Sequence, residues 1–355
     1  MKFRLRFIDV FRGLAIVLML HGHTADALLS PDEKTSLAFQ LYTIFRGFTA
    51  PMFLFISGFA FAITTIKYVE DYLKFSQKFL KRIRKFLFIT LLGYFLHLPY
   101  LSLKKTITES NFETLSVLFS SDVLQVIGIS LLILQISLFL LKDAFKFSQL
   151  SLYMGIFAFL ISPFLFMIDF AKFLPLPISQ YLNTFNGSKF PLFPWIGYIL
   201  FGNYIGYKFI SASSSENSEL FLNKIYKISL LALPLAFTLE LVYEKLFNPN
   251  QFLIYSSPFL SVSRLSFVIV LFYLVMKVEK NVNLKVHPLQ ILGMESLFAY
   301  VFHLMIIYGS PHKPRLITFS SLGQYVKLSH CLCFLSNLGN YHIFNFLLFT
   351  YNEAK

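Results

Sequence analysis

The sequence predicts an all-α fold: a polytopic transmembrane helix bundle of about nine to ten spans with a cytoplasmic N-terminus. Three observations support this prediction. Hydrophobic residues make up 56% of the 355-residue chain and charged residues only 14%, roughly half the charged share of a soluble domain. Apolar segments of about 20 residues, the length that crosses a bilayer as a helix, recur along the chain. Lysine and arginine concentrate in alternate loops between these segments.

The composition excludes several classes of protein. A chain this apolar cannot cover its surface in water, which excludes an ordinary soluble enzyme, a disordered protein and a secreted disulfide scaffold. Cys331 and Cys333 are too few for a disulfide framework and point to different faces of a helix, which argues against a metal site. The net charge of +13 is explained by membrane orientation and anionic lipid. We therefore predict membrane lipid, and no nucleic acid, as a partner.

Nine segments are long and apolar enough to be predicted as spans. They are 8–29, 39–66, 86–103, 123–141, 150–170, 190–210, 225–242, 265–276 and 289–308. A weaker tenth candidate lies within 328–349. Because the loops between the spans are short, we predict one membrane domain over residues 1–310. For the divergent tail over 311–355 there are two interpretations, with and without a last span.

The basic residues set the predicted orientation. With the N-terminus in the cytoplasm, more than twice as many lysine and arginine residues lie on the cytoplasmic side as on the other, as the positive-inside rule requires. The densest cytoplasmic loop carries Lys67, Lys74, Lys78, Lys81, Arg82, Arg84 and Lys85. The N-terminus also has features of a signal peptide. Asp9 and Arg12 interrupt its apolar part, which favours a span.

Ionisable residues inside spans are costly and are therefore functional candidates. The first span contains Asp9, Arg12, His21 and His23. On a straight helix Arg12 and His23 lie about 20° apart, and Asp9 lies within about 60° of both. His21 lies about 180° from Arg12, so the geometry favours His23 in a shared site. Asp26, one turn further, is an expected hydrogen-bond partner for the His23 ring. The alternative interpretation is that these polar residues of the first span lie in the lipid headgroup region and form no site.

Later spans contain further polar residues, and each has a functional and a structural interpretation. Arg46 would share a face with Ser57 on a continuous second helix, or would reach the outer interface. Gln125 is a buried amide that needs partners, or structural glue between helices. The single tryptophan, Trp195, fits a site or an interfacial anchor. In the ninth span Ser296, Tyr300 and His303 line one face, as a site or as a polar seam. Close helix packing is expected at Gly58, Gly202 and Gly206.

Five ordered segments resemble one known family. The first, FIDVFRGLAIVLM at 7–19, is followed by His23; the others are 46–59, 122–132 (DVLQVIGISLL), 190–206 (beginning FPLFPWIGY) and 289–303 (LQILGMESLFAYVFH). Together they resemble the heparan-alpha-glucosaminide N-acetyltransferase catalytic-domain family. These are multi-pass membrane acyltransferases, distantly related to the acyltransferase-3 group.

The resemblance implies a reaction and a site. An acetyl or other acyl group would pass from cytosolic acyl-CoA, the co-substrate, to a sugar amine or hydroxyl of a saccharide or glycolipid, without a metal. The implied catalytic residues are Asp9, Arg12, His23, Arg46 and His303. The implied residues that bind the co-substrate are Arg12, Gln125, Trp195 and Tyr300. Animal members have a catalytic histidine in the first lumenal loop, but 24–40 contains none. His23 is therefore the expected base or acyl carrier, and heparan is less expected as the acceptor.

The sequence leaves alternatives open. Intramembrane arginine and histidine also suit a transporter or a flippase of a lipid-linked sugar, and an inactive acyltransferase kept as an assembly partner is a third interpretation. Direct transfer and an acyl-histidine intermediate are both open, and so is a homo-oligomer. The compact form of the chain favours a bacterial plasma membrane over an organelle membrane.

Overall fold

A computed structural model describes residues 5–98, 102–108, 111–212, 215–247, 249, 251–281 and 288–308. The regular elements within these residues are helices, which confirms the predicted all-α class. The predicted tail at 311–355 and the tenth candidate span at 328–349 lie outside the described residues.

The described residues form α-helices that are joined by short loops, with a 3-10 helix at Phe170–Lys172. In chain order the α-helices are α1 (Arg6–Leu28), α2 (Pro31–Thr35), α3 (Leu37–Arg46), α4 (Thr49–Lys67), α5 (Val69–Tyr72), α6 (Gln77–Leu96), α7 (Leu103–Thr108), α8 (Phe112–Phe119), α9 (Val123–Leu141), α10 (Ala144–Leu165), α11 (Leu176–Ser179), α12 (Leu192–Ile210), α13 (Ser215–Phe247), α14 (Gln251–Ser256), α15 (Pro258–Asn281), α16 (Pro288–Met294) and α17 (Ser296–Tyr308).

Side-chain caps set where several helices begin. The Ser76 hydroxyl accepts the backbone N–H of Phe79 at 3.1 Å and starts α6. The Asp143 carboxylate accepts the N–H groups of Phe145 and Lys146, at 2.8 and 3.0 Å, and starts α10. These bonds satisfy donors that have no partner inside the helix. Short polar loops between apolar segments therefore become defined helix starts.

The helices make the chain a multi-pass integral membrane protein. Six helical segments of the described residues are long and apolar enough to cross a membrane, or up to seven if the bent pair α16–α17 is one span. Seven of the nine predicted spans fall on these segments. The other two, 86–103 and 190–210, fall on α6 and α12. A run of basic residues begins α6, and glycine, tyrosine and asparagine dilute the apolar character of α12. The predicted number of nine to ten is therefore higher than the described residues supply.

Two predicted spans are not continuous helices. A turn at Gly47 and Phe48 separates α3 from α4, so the helical arithmetic that placed Arg46 and Ser57 on one face does not apply. The ninth predicted span bends by 84° at Glu295, between α16 and α17. A hydropathy pattern records that a segment is apolar, but it does not record where the segment turns.

The helices divide into two compact units. The first consists of the described parts of Met1–Thr49 and Leu274–Lys355, and the second of the described parts of Ala50–Tyr273. Each unit has its own helix packing and its own set of buried polar residues.

Glycines hold the helices of the first unit at backbone contact. A Cβ at Gly293 in α16 would lie 1.8 Å from the carbonyl oxygen of Asp9 in α1, and a Cβ at Gly13 would lie 1.9 Å from the carbonyl oxygen of Leu289. No side chain fits between the two backbones at either point. Small residues allow this close approach, which is how helices gain packing energy in a membrane.

Similar contacts hold the second unit together. A Cβ at Gly58 in α4 would lie 1.9 Å from the carbonyl oxygen of Ile199 in α12, and one at Gly202 would lie 2.1 Å from the carbonyl oxygen of Phe55. Gly206 also lies against α4. The close packing that the sequence predicted at these three glycines is confirmed.

A buried arginine also ties α6 to α4. Nη2 of Arg82 donates to the carbonyl oxygen of Phe61 at 3.1 Å and to the hydroxyls of Thr64 and Thr65 at 3.1 and 3.0 Å. Its guanidinium carbon lies 4.2 Å from the centre of the Tyr72 ring. The sequence analysis counted Arg82 among the charges of a cytoplasmic loop. In the structure its side chain packs α6 against α4.

Replacing Gly293 by alanine is expected to destabilise the protein, because the new methyl group would meet a backbone oxygen that cannot rotate away. Overpacking of this kind costs at least about 1–3 kcal/mol. Thermal unfolding of purified protein in detergent measures the effect. Gly155→Ala is the control, because the nearest atoms to its Cβ are in the movable Phe201 ring, at 3.1 Å. Equal unfolding temperatures for the two variants would contradict the prediction.

Candidate functional site

Two histidines of the first unit are in contact. The ring centres of His23 in α1 and His303 in α17 lie 5.2 Å apart, with the ring planes inclined by 48°. His303 is buried and His23 is half-buried. The sequence singled out both residues separately, and the structure brings them together.

The hydrogen bond of His303 shows which tautomer its neutral ring adopts. Nδ1 lies 3.0 Å from the carbonyl oxygen of Ala299 in the same helix. Because a carbonyl can only accept, Nδ1 carries the proton and Nε2 of the neutral ring carries a lone pair. Nε2 is buried and has no hydrogen-bond partner among the described residues. The Tyr300 ring meets the His303 ring edge-on, with centres 5.6 Å apart. A buried free acceptor beside His23 suits a group that orients or receives a proton.

The neighbouring histidine of α1 has a different partner. Nδ1 of His21 hydrogen-bonds the hydroxyl of Tyr42 in α3, and the two ring centres lie 4.8 Å apart. The helical arithmetic predicted opposite sides of α1 for His21 and the functional stripe. The two histidines accordingly meet different helices.

An ion pair lies one helical turn from His23. Nη1 of Arg46 in α3 contacts Oδ1 of Asp26 in α1. The aliphatic part of Arg46 passes over Gly22, where a Cβ would lie 2.9 Å from the Arg46 side chain. Because Asp26 lies one turn beyond His23, the guanidinium is held within about 5 Å of His23 along the helix axis. Asp26 is thus the partner of Arg46, and its expected bond to the His23 ring stays a prediction.

Asp9 and Arg12 lie toward the opposite end of α1. They are about 21 and 16 Å from His23 along the axis, at 1.5 Å per residue. Asp9 is buried where α1 packs on α16, and Arg12 is half-buried. The structure therefore does not bring these two residues to the histidine pair. Residues that share a helix face but lie three or more turns apart do not contact the same reacting group.

Gln125 and Trp195 belong to the second unit. Gln125 is fully buried, its Nε2 donates to the Ser120 carbonyl at 3.4 Å, and its Oε1 has no partner among the described residues. Trp195 is buried beside Phe190, with ring centres 4.6 Å apart. The amide has an unused acceptor, as a ligand-binding residue would. Trp195 packs inside the unit, in the first turn of α12.

Four ionisable residues of the second unit were not singled out by the sequence analysis. The ring nitrogens of His97 face a backbone carbonyl at 3.1 Å and Oδ2 of Asp122 at 3.4 Å. Burial acts to raise the pKa of Asp122, but His97 and the backbone N–H that follows outweigh burial and lower it. Glu240 is buried within α13, and Arg264 is half-buried within α15. Ionisable residues in or beside apolar segments were the available signal.

A comparison with known families identifies the chain's relatives. The model of the family described as heparan-alpha-glucosaminide N-acetyltransferase, catalytic, matches residues 4–234, which is more than half of the 355 residues. No individual curated protein matches the chain. The matched region includes His23 and Arg46, whereas Tyr300 and His303 lie beyond it. This membership implies a membrane acetyltransferase. The chain belongs to the heparan-alpha-glucosaminide N-acetyltransferase catalytic family.

Proposed function

We propose that the protein transfers an acetyl or other acyl group from cytosolic acyl-CoA to an amine or hydroxyl of a saccharide or glycolipid at the membrane. The contact between His23 and His303 is the observation that carries the proposal. A pair of imidazoles in a membrane helix bundle offers a base whose ordinary pKa lies near neutrality. Family membership supplies the acyl-transfer chemistry.

His23 is proposed to act as the base or as the acyl carrier. In direct transfer the acceptor nitrogen or oxygen attacks the thioester carbonyl carbon, its proton passes to His23, and the carbon–sulfur bond breaks. CoA leaves as a thiolate that takes up the proton. In the two-step form the His23 nitrogen attacks the thioester carbon, the carbon–sulfur bond breaks and CoA leaves as a thiolate. The acceptor then attacks the acyl carbon, the carbon–nitrogen bond to His23 breaks, and the acceptor proton passes to the thiolate. His303 positions His23 in either form, because its own Nδ1 proton is engaged by Ala299.

Arg46 is proposed to stabilise the negative charge that develops on the thioester oxygen. Its guanidinium is fixed by Asp26 and lies within about one helical turn of His23. A fixed cation beside a developing oxyanion lowers the barrier, because it needs no rearrangement during the reaction. The Arg46–Asp26 pair therefore supplies a charge that is oriented before the substrate arrives.

The acyl-CoA is proposed to enter from the end of α1 that carries Arg12. With a cytoplasmic N-terminus, Arg12 lies near the inner surface and His23 about 16 Å deeper, a distance that the pantetheine arm can bridge. Arg12 and Tyr300 of the first unit are proposed to bind the co-substrate, and the reaction is proposed to need no metal. We propose a bacterial plasma membrane as the location and leave homo-oligomerisation to direct measurement.

His23→Ala is expected to lower acetyl transfer from radiolabelled acetyl-CoA to glucosamine by roughly 10²- to 10⁴-fold, the usual contribution of a positioned base. Purified protein in nanodiscs is the assay system. His21→Ala is the matched control, because His21 lies on the same helix but bonds Tyr42. Its rate is expected to stay within about fivefold of wild type, since it lies outside the reacting groups. Full turnover in His23→Ala would remove His23 from the mechanism. A labelled protein adduct that forms without acceptor and requires His23 would select the two-step route.

Acetyl-CoA is expected to bind the purified protein without any acceptor, and calorimetry measures this directly. Arg12→Gln is expected to weaken binding about tenfold, because a phosphate contact of a charged group contributes on the order of 1–3 kcal/mol. His23→Ala is the control and is expected to bind normally. Absence of both binding and turnover in the wild type would favour the transporter or flippase alternative, since a carrier has no use for CoA.

A further inference from the structure

Three polar side chains of the second unit lie together inside the membrane-spanning helices. They are Tyr198 in α12, Glu240 in α13 and Arg264 in α15. Tyr198 is completely buried, and Glu240 is 3% exposed. The guanidinium of Arg264 lies 5.7 Å from the centre of the Trp195 ring and acts electrostatically on both Glu240 and Tyr198. None of the three belongs to the proposed acyl-transfer machinery.

Helix packing accounts for only one of the two oxygen atoms of the Glu240 carboxylate. Its Oε2 accepts the Ser257 hydroxyl and the backbone N–H of Leu260, the latter at 3.0 Å. Both groups lie at the start of α15, so this oxygen caps that helix. Its Oε1 is buried and has no hydrogen-bond partner among the described residues. A buried carboxylate oxygen without a donor is costly, so this oxygen calls for a donor from a bound molecule.

The other side of the cluster offers the opposite chemistry. The Tyr198 hydroxyl is buried, and the side chains of Ser261 and Arg264 interact with it, although not with regular hydrogen-bond geometry. Arg264 carries several N–H donors. A ligand at this place would therefore meet an acceptor on α13 and donors on α12 and α15.

In the predicted topology the cluster lies near one membrane surface. Trp195 is in the first turn of α12, Arg264 in the second turn of α15, and Glu240 about two turns before the end of α13. These positions are about 5–10 Å from the respective helix ends. In the predicted topology all three ends face the non-cytoplasmic side, opposite the lysine-rich loop after α4. A water-soluble ligand head group from that side needs to enter only a short way.

We propose that Tyr198, Glu240 and Arg264 bind a saccharide head group. A sugar hydroxyl or amine would donate to Oε1 of Glu240, while other sugar oxygens would accept from Arg264 and Tyr198. A lipid tail has no such groups, and a phosphate would be repelled by Glu240. The choice of a saccharide rests on the proposed function, whereas the unpartnered Oε1 of Glu240 does not.

The single tryptophan gives a direct test. Because the chain contains one tryptophan, its fluorescence reports on Trp195 beside Arg264. The full-length protein in nanodiscs is titrated with D-glucosamine without CoA. The wild type is expected to show a saturable change, which calorimetry confirms. Glu240→Gln keeps an oxygen for Leu260 but removes the charge, and it is expected to weaken binding at least tenfold. Glu244→Gln, one turn along the same helix, is the matched control and is expected to bind normally.

The outcomes separate this inference from the proposed function. Absence of saturable binding by both methods, or equal affinity in wild type and Glu240→Gln, would overturn the saccharide site. Where Glu240→Gln does not fold, Tyr198→Phe decides, because it removes one oxygen atom and is also expected to weaken binding. Binding that is lost in the variants while no acetyl transfer is found would support the site and contradict the function. Acetyl transfer with an unchanged KM for glucosamine in Glu240→Gln and Tyr198→Phe would support the proposed function and contradict the saccharide site.

Discussion

The contact between α1 and α16 is the constraint on which the first unit depends. Gly13 and Gly293 remove the side chains at two points, and the helices meet at the backbone. Lipid tails are as apolar as leucine, so close van der Waals packing, and not hydrophobic burial, holds such helices together. The contact fixes the end of α16, and the 84° bend after it fixes the start of α17. The position of His303 beside His23 follows from this sequence of constraints.

The histidine pair is an expensive arrangement for a packing role alone. A buried Nε2 without a partner costs free energy, and a leucine at position 303 would avoid that cost. The Ala299 carbonyl accepts a hydrogen bond from the Nδ1–H group, which leaves Nε2 available for chemistry. Arg46 is similarly held, with its charge matched by Asp26 and its stem lying over Gly22. Both features resemble prepared groups in a catalytic centre, where partners fix a reactive side chain before substrate binds.

The sequence predicted individual helices and their faces better than their breaks and partners. The 3.6-residue repeat correctly separated His21 from His23, because both lie in one straight helix. The predicted spans missed the helix breaks at Gly47 and Glu295, because hydropathy averaged over a segment does not detect a turn. The same helical arithmetic places Asp9 and Arg12 on the His23 face but about 21 and 16 Å away along the axis, so only an extended ligand could link Arg12 to His23. The pairing of Asp26 with Arg46 joins two helices, and a single sequence holds no information on such contacts.

The central claim is that His23 and His303 act as one catalytic unit, and a double-mutant cycle on acetyl transfer tests it most directly. Rates are measured for wild type, His23→Ala, His303→Ala and the double variant, with CoA binding as a check on folding. Residues that act as a unit are strongly non-additive. The account predicts that His303→Ala changes the residual rate of His23→Ala by less than about twofold, although it slows the wild type by at least about tenfold. Equal effects of His303→Ala in both backgrounds would show that the two histidines act independently and would contradict the account.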